Sequence, residues 1–223
     1  MEARLIPTRV PKDPEGVVLV LHGGGSRRRW MMVSPAQLSV LRMVPIARRA
    51  ARAGHGRLAV YRLLNSVRGW DTHHTPLRDA NWALDEIAER HGRRLPTCLV
   101  GHSLGGRAAI LSAGAPEVRG VAALAPWVLP GDFPAEPAGR RILIVHGSRD
   151  RIADPSRAAT VAKALGRRTE VTYVLVEGGR HAMLRRRDLF DGLAADFAAL
   201  VLLGETGDGP IAQVANGERF ITL

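Results

Sequence analysis

The chain has 223 residues and a mass of 24.1 kDa, which suffices for one well-buried core and is short for two domains. Hydrophobic residues make up 46% of the chain, an ordinary globular share that argues against wholesale disorder. The formal net charge of +11 comes almost entirely from arginines scattered in short groups, without an RNA-binding signature or zinc-ligand spacing, so we expect a solvated surface rather than a nucleic-acid partner.

Apolar, β-rich runs alternate with amphipathic helical stretches along the chain. Residues 17–21 form the first strong run, continuously apolar as in a strand buried on both faces. Five further strands are predicted at residues 58–63, 97–100, 120–124, 142–145 and 171–176. This alternation predicts an α/β fold with a mostly parallel sheet of six or seven strands and helices on both faces.

Residues 24–44 are less regular than the rest. Ser34-Pro35-Ala36-Gln37 resembles a capping box, but Pro45 would break a helix that ran on from it. We therefore expect a short helical turn, followed by a helix from about residue 45 to residue 53 that Gly54 ends.

Start and stop signals predict three later helices. One begins with Thr75 as N-cap and Pro76 at the first position and ends at Gly92. The others open at Asp154-Pro155 and after His181, and Gly204 closes the last.

Residues 204–223 form a tail that is distinct from the domain of residues 1–203. Its first part is linker-like, and two short apolar-polar runs then flank Asn216-Gly217, a strong hairpin signal. A β-hairpin on a sheet edge, a contact that builds a homodimer, and a disordered end all fit this tail.

The pentapeptide Gly101-His102-Ser103-Leu104-Gly105 directly follows the apolar run Leu99-Val100. A G-x-S-x-G sequence between a strand and a helix is the pattern of a nucleophile elbow, in which a sharp turn leaves the serine side chain exposed. The flanking glycines let strand and helix pass close together. Ser103 is therefore the candidate nucleophile.

A serine hydroxyl needs a base that removes its proton and a third group that orients the base. Asp150 follows the strand of residues 142–145, and His181 follows the strand that ends near Val176. Loops after parallel strands emerge at the carboxyl edge of the sheet, where ligands bind. Asp154 and Glu177 are rivals of Asp150 for the acidic role.

A glycine-rich stretch, His22-Gly23-Gly24-Gly25, closes the first strong strand. Glycines there leave backbone N–H groups free to face a carbonyl oxygen, and the N–H of the residue after the nucleophile supplies a second donor. The glycines of this stretch and Leu104 are therefore candidate oxyanion donors. We expect His22 to brace this loop and His102 to point away from substrate.

These four motifs, in this order over residues 16–203, resemble the α/β-hydrolases, in particular the small, lidless serine esterases and the dienelactone-hydrolase-like group. The resemblance implies Ser103 as nucleophile, His181 as general base and acid, and Asp150 as its orienting partner, with no metal and no organic cofactor. On the same resemblance the oxyanion donors are Gly24, with Gly25 as a near rival, and Leu104. Only 17 residues separate Leu124 from Ile142, where many relatives insert a helical lid, so we expect an open mouth.

The sequence is less specific about the pocket. Four large side chains fall on the side of the sheet where substrate must enter, and we expect them to line an apolar substrate site. Trp30 follows the glycine-rich loop, Trp70 and Trp127 follow predicted strands, and Met183 follows His181. Ordinary packing of the loops is the alternative interpretation of the same residues.

The residues together predict a serine hydrolase that acts on a small-molecule carboxylic ester or thioester. Acyl transfer or peptide cleavage by the same three residues is an alternative, and so is a non-catalytic binding protein that keeps the fold. No apolar run has the length of a membrane helix, the N-terminal residues lack a signal core, and Cys98 has no partner for an internal disulfide. We therefore expect no membrane partner and a cytoplasmic location.

Overall fold

The computed structural model describes residues 2–25 and 33–223, which contain one sheet of eight strands. The strands are β1 (Arg4–Arg9), β2 (Gly16–Leu21), β3 (Leu58–Leu64), β4 (Thr97–His102), β5 (Val118–Leu124), β6 (Arg141–Gly147), β7 (Glu170–Val176) and β8 (Phe220–Thr222). The helices are α1 (Leu38–Leu41), α2 (Met43–Ala53), α3 (Thr75–His91), α4 (Leu104–Leu111), α5 (Pro155–Leu165), α6 (Arg187–Leu203) and α7 (Pro210–Ala215), with a 3₁₀ turn at Ser112–Gly114.

The strand order is β1-β3-β2-β4-β5-β6-β7-β8, and every pair is parallel except β1 with β3. Alternate residues of each central strand point to opposite faces. In β2, Val17, Leu19 and Leu21 pack in one core cluster, whereas Val18 and Val20 pack in the other. Helices α3, α4 and α5 cover the first face and α2, α6 and α7 the second. The α/β prediction is confirmed, and burial on both faces explains why the strands read as continuous apolar runs.

All six predicted strands are present, each within two residues of the expected bounds. Gly92 and Gly204 end their helices with φ of 64° and 71°, in the left-handed region that glycine adopts without strain. Asp154 caps α5 by accepting a hydrogen bond of 2.9 Å from the N–H of Ser156. These local signals were sufficient because each depends only on neighbouring residues.

The predicted count of six or seven strands is wrong, because β1 and β8 bring the sheet to eight. Strand β1 contains Pro7, which lacks the N–H of an ordinary strand residue, and its register shifts between Pro7 and Arg9. An edge strand tolerates both features because only one of its sides must pair.

The tail is not a β-hairpin. Ile211 and Val214 lie one helical turn apart in α7 and are buried in the core beside α6, so the first apolar run is helical. Gly217, with φ of 81°, then turns the chain, and β8 pairs in parallel with β7 rather than folding back on the preceding run. Asn216-Gly217 does form a turn, but burial of Ile211 and Val214 makes the preceding run helical, so the turn joins a helix to a strand.

Two helices, α2 before β3 and α3 after it, begin at residues slightly different from those expected. Helix α2 begins at Met43 and contains Pro45 in its first turn, where a missing N–H is not needed for an intrahelical bond. In α3, His74 holds the N-cap position and Thr75 is the first helical residue; the Thr75 N–H and hydroxyl both donate to the Asp71 carboxylate.

Residues 125–140, which connect β5 to β6, contain neither helix nor strand, so the expected absence of a large lid at this place is confirmed. Cys98 is fully buried in β4. Within residues 2–25 and 33–223, no helix combines the length and apolar character that crossing a membrane requires.

Close backbone packing between β2, β4 and α4 requires glycine at two positions. A Cβ on Gly101 would lie 2.2 Å from the carbonyl oxygen of Gly105, and a Cβ on Gly105 would lie 2.3 Å from that of Leu21. Backbone atoms cannot move aside as a flexible side chain can, so neither position has room for a side chain.

We expect Gly105→Ala to lower the free energy of unfolding by about 3 kcal/mol or more, because the new methyl group overlaps backbone oxygens of β2 and its following loop. Urea unfolding followed by circular dichroism measures this change. Gly114→Ala is the matched control, since its Cβ would meet nothing nearer than 3.5 Å and φ there is not positive. Equal stability of the two variants would contradict the packing argument.

Candidate active site

Ser103 sits at the turn between β4 and α4, as the elbow pattern predicted. Its backbone has φ of 55° and ψ of −118°, a conformation that residues with side chains rarely adopt. The Ser103 N–H donates to the carbonyl of Leu124 at 2.9 Å, and its own carbonyl accepts from the N–H of Trp127 at 3.1 Å. Bonds to the end of β5 and its loop therefore hold the turn in place.

The structure brings Ser103, His181 and Asp150 into one hydrogen-bonded chain at the carboxyl edge of the sheet. His181 Nδ1 lies 2.8 Å from Asp150 Oδ2, and His181 Nε2 lies 3.0 Å from Ser103 Oγ. A carboxylate only accepts, so Nδ1 carries the proton and Nε2 is left to accept from the serine hydroxyl. This tautomer is the one a general base needs.

Asp150 is buried, yet its environment favours the charged form. Burial opposes ionisation, but the side chains of His146 and His181 and the backbone N–H groups of Ile152 and Ala153 all donate to the carboxylate. These four donors together hold the pKa of Asp150 well below its usual range. The alternatives Asp154 and Glu177 are exposed, and neither bonds to His181 in the described part of the chain.

His146, at the end of β6, is a site residue that the sequence analysis missed. It is fully buried, and its Nε2 lies 3.1 Å from both Asp150 Oδ2 and the carbonyl oxygen of Ala153. Both partners are acceptors, so Nε2 carries the proton and donates to the same carboxylate oxygen that His181 contacts. The spacing His146 to Asp150 was a visible signal, but a histidine in a strand does not by itself point to a carboxylate in the next loop.

Direct contacts fix the Asp150 loop against the His181 loop. A Cβ on Gly147 would lie 2.4 Å from the backbone of Gly179, so the two loops touch. The N–H of Arg149 donates to the carbonyl of Gly179 at 2.9 Å. From the other side, Arg42 Nε donates to the carbonyl of Ala182 at 3.1 Å, while its Nη2 pairs with Asp191 at 2.7 Å.

The expected oxyanion donors lie beside Ser103. Gly23, Gly24, Gly25 and Leu104 all line the same cleft as the serine. Among the described residues, no hydrogen bond engages the backbone N–H of Gly24, Gly25 or Leu104. Leu104 is the first residue of α4, and the first N–H groups of a helix have no intrahelical acceptor.

His22 and His102 support the neighbouring loops, as expected for His22. His22 Nδ1 lies 2.6 Å from the carbonyl of Gly23, and its Nε2 accepts from the N–H of Asn65 at 3.1 Å. His102 Nε2 donates to the carbonyl of His181 at 2.9 Å, but His102 also lines the cleft beside Ser103, so the expectation that it points away from substrate is not confirmed. Burial lowers the pKa of His22 and lowers that of His102 to about 3, so both rings are neutral.

The cleft next to Ser103 has a volume of about 1140 Å³, and both Trp70 and Trp127 line it, as predicted. Arg107 makes cation–π contacts with both rings: its guanidinium carbon lies 4.2 Å from the Trp70 ring centre and 5.7 Å from that of Trp127. Arg107 is itself buried and paired with Asp132 at 2.8 Å. A buried ion pair thus positions this wall of the cleft.

Of the other two residues predicted to line the pocket, Met183 does not line the cleft and Trp30 is not among the described residues. Met183 is 1% exposed and packs in the core cluster with α2 and α6, so its assignment to the pocket is wrong. Its φ of 56° turns the chain so that its neighbours Ala182 and Leu184 line the cleft instead. Trp30 lies outside the described residues.

The rim of the cleft is unusually apolar. Seven large hydrophobic side chains are exposed within the described residues, and four of them line this cleft: Leu38, Leu41, Ile152 and Leu184. An apolar patch of this kind marks a place where an apolar ligand binds.

Comparisons with known proteins agree with this architecture. The family model of the alpha/beta hydrolase family matches residues 17–215. A comparison with curated proteins finds no match.

Several solved structures resemble this chain in fold. A serine hydrolase without a lid from Xanthomonas campestris is 18% identical, with a TM-score of 0.63, and the match covers 88% of this chain and 87% of that one. A dienelactone hydrolase from Anabaena variabilis is 20% identical, with a TM-score of 0.64 and coverage of 90% and 91%. Est1E from Butyrivibrio proteoclasticus, bound to ferulic acid, is 16% identical, with a TM-score of 0.64 and coverage of 92% and 96%.

The depressed pKa of Asp150 predicts a stability change at acidic pH. Its charged form is stabilised in the folded state, so this contribution is present above the unfolded-state pKa of about 4 and is lost as pH falls towards the folded value. Between pH 4 and pH 3 we expect the free energy of unfolding to fall by about 1 kcal/mol more in the native protein than in Asp150→Asn. Urea titrations at each pH measure both slopes; parallel slopes would contradict the prediction.

Proposed function

The chain belongs to the alpha/beta hydrolase family, and from this premise we propose that it is a serine hydrolase that cleaves carboxylic esters. The observation that carries the proposal is the continuous hydrogen-bonded chain from Ser103 Oγ through His181 to Asp150, at the mouth of an apolar cleft. Thioesters have the same reacting carbonyl and belong to the same substrate class.

The first half of the reaction transfers the acyl group to the enzyme. Ser103 Oγ attacks the carbonyl carbon while His181 Nε2 takes the serine proton, and the Asp150 carboxylate stabilises the imidazolium that forms. Collapse of the tetrahedral intermediate breaks the bond to the leaving oxygen, which receives the proton from His181. The acyl group remains on Ser103 as an ester.

The backbone N–H groups of Gly24 and Leu104 are assigned to the oxyanion of this intermediate. Both are free of hydrogen bonds to other described residues, so they need not break a bond before they act. A single donor of this kind typically contributes on the order of 3 kcal/mol to transition-state stabilisation.

In the second half of the reaction, water replaces the serine as nucleophile and Ser103 Oγ becomes the leaving group. His181 removes a proton from the water, which attacks the acyl carbonyl, and the proton then returns to Ser103 Oγ. The connection from β5 to β6 carries no helix over the mouth, and this access for water favours hydrolysis over transfer to another acceptor. The apolar rim formed by Leu38, Leu41 and Leu184 suits an apolar acyl group.

The proposal predicts that a fluorophosphonate probe will label only Ser103, because this reagent reacts with a serine that has both a base and an oxyanion site. Peptide mass spectrometry of the labelled protein identifies the modified residue. Ser103→Ala should lose labelling and up to ~10⁶ in ester turnover. Absence of labelling in a folded native sample would count against an activated serine and favour a binding protein.

His146 is expected to act as a positioning residue through Asp150. In His146→Leu, the carboxylate loses one of its four donors, and we expect kcat for ester hydrolysis to fall about tenfold with little change in KM, because His146 touches no substrate. His146→Gln keeps an N–H near the place of Nε2 and should recover most of kcat. If both variants lose the same activity, His146 only supports packing.

A further inference from the structure

A second cleft, of about 720 Å³, adjoins the apolar one at His181. It is lined by residues 148–152 and 180–182, so it shares Ile152, His181 and Ala182 with the apolar cleft but contains neither Ser103 nor the glycine-rich loop. Three of its lining residues are arginines, namely Arg149, Arg151 and Arg180.

These three arginines carry positive charge that no described carboxylate neutralises. None of them forms an ion pair within residues 2–25 and 33–223, whereas Arg42, which lines the apolar cleft, is paired with Asp191. The acidic residue of the second cleft is Asp150, and its oxygens are already engaged by four donors. Three exposed guanidinium groups around one cleft form a site for an anion.

The position of this cleft identifies which part of a substrate it receives. His181 Nε2 must hand its proton to the leaving oxygen, so the leaving group lies beside His181. The nucleophile and the expected oxyanion donors line the apolar cleft, and the proposed reaction assigns the acyl group to that cleft. The cleft that touches His181 but not Ser103 therefore lies on the leaving-group side.

We propose that Arg149, Arg151 and Arg180 bind an anionic group on the leaving alcohol, so that the substrate is an ester of an apolar acid with an alcohol that carries a carboxylate or a phosphate. This inference rests on the proposed ester hydrolysis. In the reaction, the Ser103 Oγ–carbon bond forms, the bond from carbon to the leaving oxygen breaks, and the serine proton passes through His181 to that oxygen. The anionic group itself is not changed.

Three synthetic esters test the proposal: the butyryl esters of 4-hydroxybenzamide, 4-hydroxybenzoate and 4-hydroxyphenyl phosphate. They differ chiefly in a neutral amide, a carboxylate or a phosphate at the same position. Each kcat/KM is divided by the rate of hydroxide hydrolysis of the same ester, which removes differences in leaving-group reactivity. The carboxylate and phosphate esters distinguish the two kinds of anion.

At low ionic strength we expect at least one anionic ester to exceed the neutral ester about tenfold in corrected kcat/KM, and this ratio to fall as salt is added. In the triple variant Arg149→Gln, Arg151→Gln, Arg180→Gln, the ratio should drop to about one. Arg167→Gln is the control variant, because Arg167 is also exposed but lies between α5 and β7, at the end of the strands opposite the clefts. Circular dichroism and the melting temperature verify that each variant is folded.

Equal corrected kcat/KM values for all three esters in the native protein would overturn the anion site while leaving ester hydrolysis intact. A preference that survives in the triple variant would also overturn it, since the selectivity would then come from other residues. Failure of the proposed function has a different signature: none of the esters is hydrolysed and the fluorophosphonate does not label Ser103.

Discussion

The strained backbone of Ser103 is the constraint around which the site is arranged. With φ at 55°, the turn directs the serine side chain away from the sheet. This strained backbone is stable only if the strands and the helix around it pack closely, with no side chains between them. Gly101 and Gly105 provide that closeness, since α4 lies against the ends of β4 and β2. The same packing leaves the Leu104 N–H free at the start of α4 and brings the glycine-rich loop to its side.

A buried negative charge is the second constraint. Removing a carboxylate from water is costly unless hydrogen bonds compensate for lost hydration. Asp150 receives four such bonds, two from its own loop and two from histidines on different elements. His181 is therefore oriented by a group that is itself held on every side, and its Nε2 is directed at Ser103 Oγ. The position of the His181 ring beside Ser103 therefore depends on the hydrogen bonds that Asp150 accepts, although Asp150 does not itself contact the serine.

The surroundings of the site divide into two chemical environments that meet at His181. Trp70 and Trp127, fixed from behind by the Arg107–Asp132 pair, form an apolar wall beside Ser103. Beyond His181 the surface carries arginines without carboxylate partners in the described chain. An apolar ligand loses unfavourable contact with water on the first side, and an anion gains charge-assisted hydrogen bonds on the second.

Local sequence patterns were sufficient for the six central strands, the helix ends at Gly92 and Gly204, and the placement of Ser103, Asp150 and His181 at one sheet edge. Burial on both faces imposes a continuous apolar run, and the elbow imposes its glycines, so both can be recognised without knowing distant contacts. Tertiary structure alone decided the rest. Edge strands β1 and β8 are specified by the strands with which they pair. Residues 210–215 of the tail are helical because a helix buries both Ile211 and Val214 in the core. The same reason applies to His146 and Met183: whether a side chain meets a carboxylate, a cleft or the core depends on what the fold brings opposite it, and no local pattern contains that information.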